Sequence, residues 1–349
     1  MKAWVLHGIN DIRLEEVEQP PVGKEDVLIS VKACGICGSD IPRIYSTGAH
    51  EMPLIPGHEF AGEVVQAGDG VDPAWIGKRV GVFPLIPCQT CPACNCAEYE
   101  LCDHYDYLGS RRDGAFAEYV AVPAWNLLEL PDSVPYEAAA MLEPMAVAVH
   151  AMRRVPIQDS GAVLVYGVGT IGMLLTMFLL ERGNHAVYVI GNKQFQKEML
   201  TKNGLPENHF FNGAATDATL WIQARTQGQG ADAVFECVGG NETIAHSLQC
   251  VRPGGHVCMI GNPRADISLA KDVYWKILRK QITVTGTWNS SFQRTANDDW
   301  SYVIQSLQRG SIHPQKLITH ILSIDRLEEG LHIMRDKTQD YVKIMMVPQ

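Results

Sequence analysis

The sequence predicts an α/β protein in which a doubly wound parallel sheet is inserted into a β-rich domain. Three observations carry this. Residues 1–145 hold short β-branched runs separated by Gly and Pro turns. Residues 161–285 alternate strand-like and helical apolar runs, the order that builds a parallel sheet with crossover helices. The closing stretch ends in another strand-like run, expected to return to the first domain. A chain of 349 residues is also too long for one ordinary core. The expected domains are 1–145, 146–285 and the return at 286–349.

Taken in order, 1–7 reads as a first strand. No long apolar core or small-residue cleavage site follows it, so it is not read as a secretory leader. Strand-like runs follow at 27–31, 62–65, 79–83 and 116–122, and at 138–154 the pattern turns helical. Val163, Leu164 and Val165 form a run too short for a helix and suited to a strand buried on both faces. It ends in Gly167-x-Gly169-x-x-Gly172 and runs into a helical stretch at 173–181. Strand, glycine turn and helix N-terminus together make the phosphate-binding turn of a dinucleotide site. Gly167 lets the chain turn, Gly169 leaves no Cβ between backbone and pyrophosphate, and Gly172 lets the helix pack close. Val168, Thr170 and Ile171 are the intervening positions, and the helix dipole with its free N–H groups holds the diphosphate. Further strands are expected at 186–190, 232–236, 256–260 and 282–286. The turn Cys237-Val238-Gly239 is a further cofactor-binding candidate. A helix near 299–309 and a strand near 343–347 close the chain.

Composition bounds the partners. Hydrophobic content of 46% with 19% charge is that of a globular chain. A net charge of −10, from 29 basic and 39 acidic residues, argues against nucleic acid or an anionic membrane as the main partner. No run of about 18 apolar residues is present to span a membrane. Ten cysteines, several clustered at short intervals in a long chain, point to metal rather than disulfides and to a cytoplasmic setting.

Two ligand sets stand out. Cys88-x-x-Cys91-x-x-Cys94, followed after seven residues by Cys102, offers four thiolates that can close a tetrahedron around zinc. A closed site does no chemistry and staples the lobe 85–105. Reduced thiols can also take iron, but a four-cysteine set closing one loop suits zinc. Cys96 is out of step with the set. The second set is Cys37-Gly38-Ser39-Asp40 with Gly57-His58-Glu59. A thiolate, an imidazole and one or two carboxylates suit a zinc that keeps a place for water or substrate. Glu143, before Pro144 at a break in a helical stretch, is the carboxylate expected from farther along the chain.

These motifs, in this order, resemble the zinc-dependent medium-chain dehydrogenases over essentially the whole chain. Glu143-Pro144 resembles the polyol dehydrogenase branch, where alcohol dehydrogenases carry a cysteine. Pro42-Arg43-Ile44, Gly48-Ala49-His50, Tyr105-Asp106-Tyr107 and the run 109–114 are most similar to its galactitol-phosphate members. The resemblance implies a GroES-like β-rich catalytic domain carrying an inserted Rossmann domain, two zinc ions per chain and a homodimer. It implies hydride transfer between a nicotinamide and a secondary alcohol polarised by zinc. Cys37, His58 and Glu143 would hold that zinc, with Glu59 a direct or exchanging ligand. Ser39 would relay the hydroxyl proton, and Asp40 would orient a ligand from behind.

Two further readings concern specificity. NAD-binding members end the second strand with an acid that hydrogen-bonds the ribose. Here it ends at Gly191-Asn192-Lys193, with no carboxylate to repel a 2′-phosphate and a cation in Lys193, so NADP(H) is favoured over NAD(H). Arg43, Arg111 and Arg112 are candidate anchors for a phosphate, which makes a polyol or ketose phosphate the expected small-molecule partner. An unphosphorylated polyol or another secondary alcohol, oxidised with NAD, is the alternative.

Overall fold

The computed structural model describes residues 1–213 and 217–348. The chain divides into two compact units, Met1–Pro144 with Ser291–Gln349, and Met145–Ser290. The first is β-rich and the second α/β, as the residue patterns predict.

The spine of the first unit is the strand Asp26–Gly35. It pairs antiparallel with Glu59–Ala67, Tyr119–Pro123 and the near-terminal strand Lys343–Val347. Its side chains are buried almost throughout, because both faces of the sheet are covered. Val27, Ile29, Val31, Phe60, Val64, Phe116, Ile344 and Met346 share one apolar core. Register decides what this sheet presents: Gly35 lies opposite Glu59, and Met345 opposite Gly35. The segments after Gly35 and before Glu59 are thereby brought together beside Lys343.

The second unit is a six-stranded, all-parallel sheet. Its order is Phe210–Asn212, Ala186–Gly191, Ala162–Tyr166, Ala231–Glu236, Val251–Met259 and Thr283–Gly286. Chain order reverses beside Ala162–Tyr166, where doubly wound sheets bind ligands. Leu164, Ile190, Val234 and Val257 pack in its core with Ile222 and Leu248 from the helices. The sequence reading missed the strand Phe210–Asn212, whose three residues give too short a pattern to register. It also began the fifth strand late: Val251 pairs with Ala231 across an irregular register that carries Pro253, Gly254 and Gly255. The helical stretch expected at 138–154 is two helices, Tyr136–Ala139 and Leu142–Arg153. Pro144 falls in the first turn of the second, where its missing N–H costs nothing. Among the described residues no helix is long and apolar enough to cross a membrane.

Candidate active site

The sulfur atoms of Cys88, Cys91, Cys94 and Cys102 lie within 4.8 Å of one another. Cys88 and Cys94 are 4.0 Å apart, and Cys91 and Cys102 are 3.9 Å apart. A tetrahedron with zinc–sulfur bonds of about 2.3 Å sets its corners about 3.8 Å apart, so the four thiols fit zinc. Backbone amides face the cluster: Cys88 N–H donates to Cys102 Sγ and Cys91 N–H to Cys88 Sγ. Thr90, through its hydroxyl and amide, pulls the Cys88 thiol down to about 6, towards the thiolate that binds metal. Cys96 is exposed.

The second cluster joins Cys37, His58 and Glu59, whose ligand atoms also lie within 4.8 Å of one another. His58 and Glu59 are almost fully buried. A soft thiolate, an imidazole and a carboxylate fit zinc and leave a coordination place over. Ser39 Oγ donates to Cys37 Sγ at 3.3 Å. Asp40, fully buried, accepts from Cys37 N–H at 2.9 Å through Oδ2 and from Arg43 Nη1 at 2.6 Å through Oδ1. Oδ1 stands 3.5 Å from His58 Nδ1, longer than a hydrogen bond, and Nδ1 has no other partner. Burial opposes charge on His58, but the negative charges of Asp40 and Cys37 outweigh it and hold the imidazole well above its usual range.

Glu143 lies outside the three-residue set but feels it. Burial raises its carboxyl to about 7; Glu59 pushes the same way, and His58, Lys343 and Tyr107 oppose. Tyr107 donates to Glu143 Oε1 at 3.4 Å, and its ring meets that of His58 edge-on at 5.8 Å.

Two residues to which the sequence reading gave no role in the site are part of this cluster. Lys343 is buried, forms an ion pair with Glu59 and donates to the Ile36 carbonyl at 3.1 Å. A Cβ at position 35 would strike that pair, so Gly35 makes room for it. Tyr107 is the other. Tyr107 enters the sequence reading only within the segment Tyr105-Asp106-Tyr107, and Lys343 reads as an ordinary strand-edge lysine until the last strand is paired to the spine.

In the second unit the glycine loop takes the shape its motif predicts. Gly167 has φ +94°, a conformation that favours glycine. At Gly169, just before the helix Thr170–Arg182, an added Cβ would meet nothing within 4 Å, so the space is open to a ligand. At Gly172 a Cβ would strike the Gly167 carbonyl. Val168 is buried; Thr170 and Ile171 lie in the first helical turn. Gln196, also unforeseen, donates to the Val168 carbonyl and accepts from the amides of Asn192 and Lys193. Gly191 is buried, and a Cβ there would press on Phe210 and Gln196 at 2.6 and 2.9 Å. The turn Cys237-Val238-Gly239 is held by the buried Glu236 carboxylate, which accepts from the amides of Val238 and Gly239.

The three arginines each have a partner. Arg43 is taken by Asp40. Arg112 pairs with Asp106 at 3.0 Å, both partly exposed. Arg111 is exposed, with its guanidinium 4.3 Å over the Tyr105 ring. Their shared turn is tight: the amides of Arg111 and Arg112 both donate to the Tyr107 carbonyl.

Residues 23–132 match the family model described as the alcohol dehydrogenase GroES-like domain, and 170–309 the zinc-binding dehydrogenase model. The chain is 30% identical to galactitol 1-phosphate 5-dehydrogenase of Escherichia coli K12, covering all of both chains. The crystal structure of the Escherichia coli galactitol-1-phosphate dehydrogenase superposes with a TM-score of 0.92. The chain is also 30% identical to sorbitol dehydrogenase of Bacillus subtilis 168, over 100% of this chain and 97% of that one. A chain from Sinorhizobium meliloti 1021, assigned to the zinc-binding dehydrogenases and bound to NADP, has a TM-score of 0.89 at 27% identity, with 99% of each chain covered.

Proposed function

Because the chain belongs to the zinc-dependent alcohol dehydrogenases, we propose that it interconverts a secondary alcohol of a polyol phosphate and the corresponding ketose phosphate, with NADP(H) favoured over NAD(H). The observation that carries the chemistry is the convergence of Cys37 with the buried His58 and Glu59 in one cluster, with Glu143 beside it. Cys37, His58 and Glu143 are the proposed ligands of the catalytic zinc, and Glu59, held by Lys343, is a direct or exchanging one. Bound there, zinc supplies Lewis-acid polarisation of the substrate oxygen, and the nicotinamide accepts or returns the hydride. Ser39 Oγ, against Cys37 Sγ, is the group proposed to carry the hydroxyl proton away. Tyr107 orients Glu143 through its hydroxyl. Cys88, Cys91, Cys94 and Cys102 are the proposed ligands of a second, structural zinc.

The cofactor preference rests on Gly191-Asn192-Lys193, where no carboxylate stands to repel a 2′-phosphate. The NADP-bound relative is in keeping with it. For the substrate phosphate the anchor proposed is Arg111, exposed and stacked on Tyr105. Ten free cysteines suit a reducing, cytoplasmic compartment. The alternative, a free polyol with NAD, draws on the partners already held by Arg43 and Arg112 and on the sorbitol dehydrogenase relative. A panel of free and phosphorylated polyols, each assayed with NADP and NAD, tests the reading. The expected result is higher kcat/KM on a phosphorylated alcohol with NADP. Equal efficiency on the free alcohol removes the phosphate, and a tenfold preference for NAD removes the cofactor assignment.

A further inference from the structure

The geometry points to Arg43 as a positioning residue for the metal centre, acting through Asp40 on His58, rather than as a contact for the substrate phosphate. The inference rests on the reading that Cys37 and His58 hold zinc. Asp40 is fully buried, and the directions of its two oxygens are set separately. Oδ2 is fixed by the Cys37 amide at 2.9 Å, and Oδ1 by Arg43 Nη1 at 2.6 Å. That leaves His58 Nδ1, at 3.5 Å from Oδ1 and without another partner, dependent on where Arg43 holds the carboxylate. With Nδ1 turned towards Asp40, Nε2 is the nitrogen left for metal. A carboxylate behind a metal-bound imidazole fixes the ring and its tautomer. Here the carboxylate itself needs an anchor, because a buried charge without a cation is costly.

The chain supplies that anchor locally. Asp40 and Arg43 are three residues apart, where Asp40–Pro42 runs on into Arg43–Thr47, and Arg43 N–H donates to the Ser39 carbonyl at 3.4 Å. One helical turn carries Ser39, Asp40 and Arg43 on the same side, beside Cys37. Only 16% of the Arg43 side chain is exposed, against 43% of that of Arg112, and Arg111 is likewise exposed. A guanidinium already committed to a buried carboxylate has less to offer an incoming phosphate than one stacked on an exposed ring.

The test uses the zinc-loaded enzyme and reads the metal itself. In Arg43→Met, release of the more labile zinc to a chromogenic chelator is expected to quicken about tenfold, the scale on which outer partners of metal ligands act. The visible spectrum of the cobalt-substituted protein is expected to shift as His58 reorients. Arg43→Lys keeps the charge without the planar fork and is expected to fall between the two, which keeps the test usable if the methionine variant fails to fold. In an Asp40→Asn background, Arg43→Met is expected to add nothing, since both act through one carboxylate. Wild-type release rate and cobalt spectrum in both Arg43 variants, with only the KM of a phosphorylated substrate raised, would overturn the proposal and return Arg43 to the phosphate. Absence of any labile zinc in the unmutated enzyme would instead overturn the metal assignment on which it rests.

Discussion

At the scale of single residues, burial sets the charge of Glu143 beside the Cys37 cluster. In metal-free protein, burial first and Glu59 second raise the Glu143 carboxyl from 4.5 to about 7. A raised carboxyl favours the neutral form in the fold. The stability tied to it is fully present below about 4.5 and is lost as pH rises through about 7. Zinc held beside it would reverse the sign, because a nearby cation favours the carboxylate. Chelated Glu143→Gln is therefore expected to be more stable than the chelated parent above pH 7, by about 1–3 kcal/mol. Thermal melts across this range check it, and superimposable pH curves for the two proteins would refute it. Arg111 yields a second prediction. If it anchors phosphate, Arg111→Ala loses a charge-assisted hydrogen bond of about 1.5–3 kcal/mol, which is about 10–150-fold in kcat/KM on the phosphorylated alcohol. Activity on the free polyol is expected to stay nearly unchanged. Equal losses on both substrates would make Arg111 structural.

At the scale of elements, the cysteine lobe is tied to the end of the first unit by aromatic packing. Tyr99 meets Trp125 edge-on at 5.0 Å, Trp125 meets Phe292, and Phe292 stacks on Phe83 at 4.7 Å. Trp300 packs on both Phe83 and Phe292. Opening the lobe therefore loosens the segment that starts at Ser291. Cys88→Ser is expected to cost on the scale of a staple closing a 15-residue loop, about 3 kcal/mol. It should leave metal binding at the Cys37 cluster unchanged. Thermal melts and limited proteolysis of the lobe check this, and an unchanged melting temperature would mean the lobe is held by packing alone. The cofactor turn gives an element-scale result of its own. Gly191 sits where the strand Ala186–Gly191 meets Phe210 and Gln196, so Gly191→Asp is expected to destabilise by about 1–3 kcal/mol through overpacking. The exposed neighbour is the better probe: Asn192→Asp should lower the preference for NADP by like-charge repulsion without that cost. An unaltered NADP-to-NAD ratio in a well-folded Asn192→Asp would show that this turn does not read the ribose.

At the scale of the whole molecule, the parallel sheet ends on the strand Thr283–Gly286, whose Val284 is 43% exposed. The helix Lys271–Lys280 adds exposed Tyr274, Trp275 and Leu278. Open strand edges invite pairing with another chain, and exposed apolar patches mark interaction surfaces. The expected homodimer would use this edge. Sedimentation should give a dimer, and Val284→Lys should shift it towards monomer. A wild-type monomer at micromolar concentration would refute it.

Much of this protein is legible along the chain because its signals are local. The run 162–172 carries strand, glycine turn and helix within one dozen residues, and the four cysteines of the lobe lie within one loop, so spacing alone displays their chemistry. The Cys37 cluster is half legible: two short motifs name three candidate ligands, but only the pairing of Gly35 with Glu59 makes them neighbours. What only the tertiary structure decided is non-local or volumetric. Lys343 joins Glu59 from 284 residues away, because the last strand pairs with the spine. Tyr107 reaches Glu143, Gln196 closes the cofactor turn, and Gly191 proves to be a packing requirement as well as a missing acid. In sequence Arg43 reads as a candidate phosphate anchor; the buried Asp40 three residues away gives it a partner. Composition and spacing report which groups are available, whereas which of them meet, and which space is already filled, depends on strand register and the close packing of the folded chain.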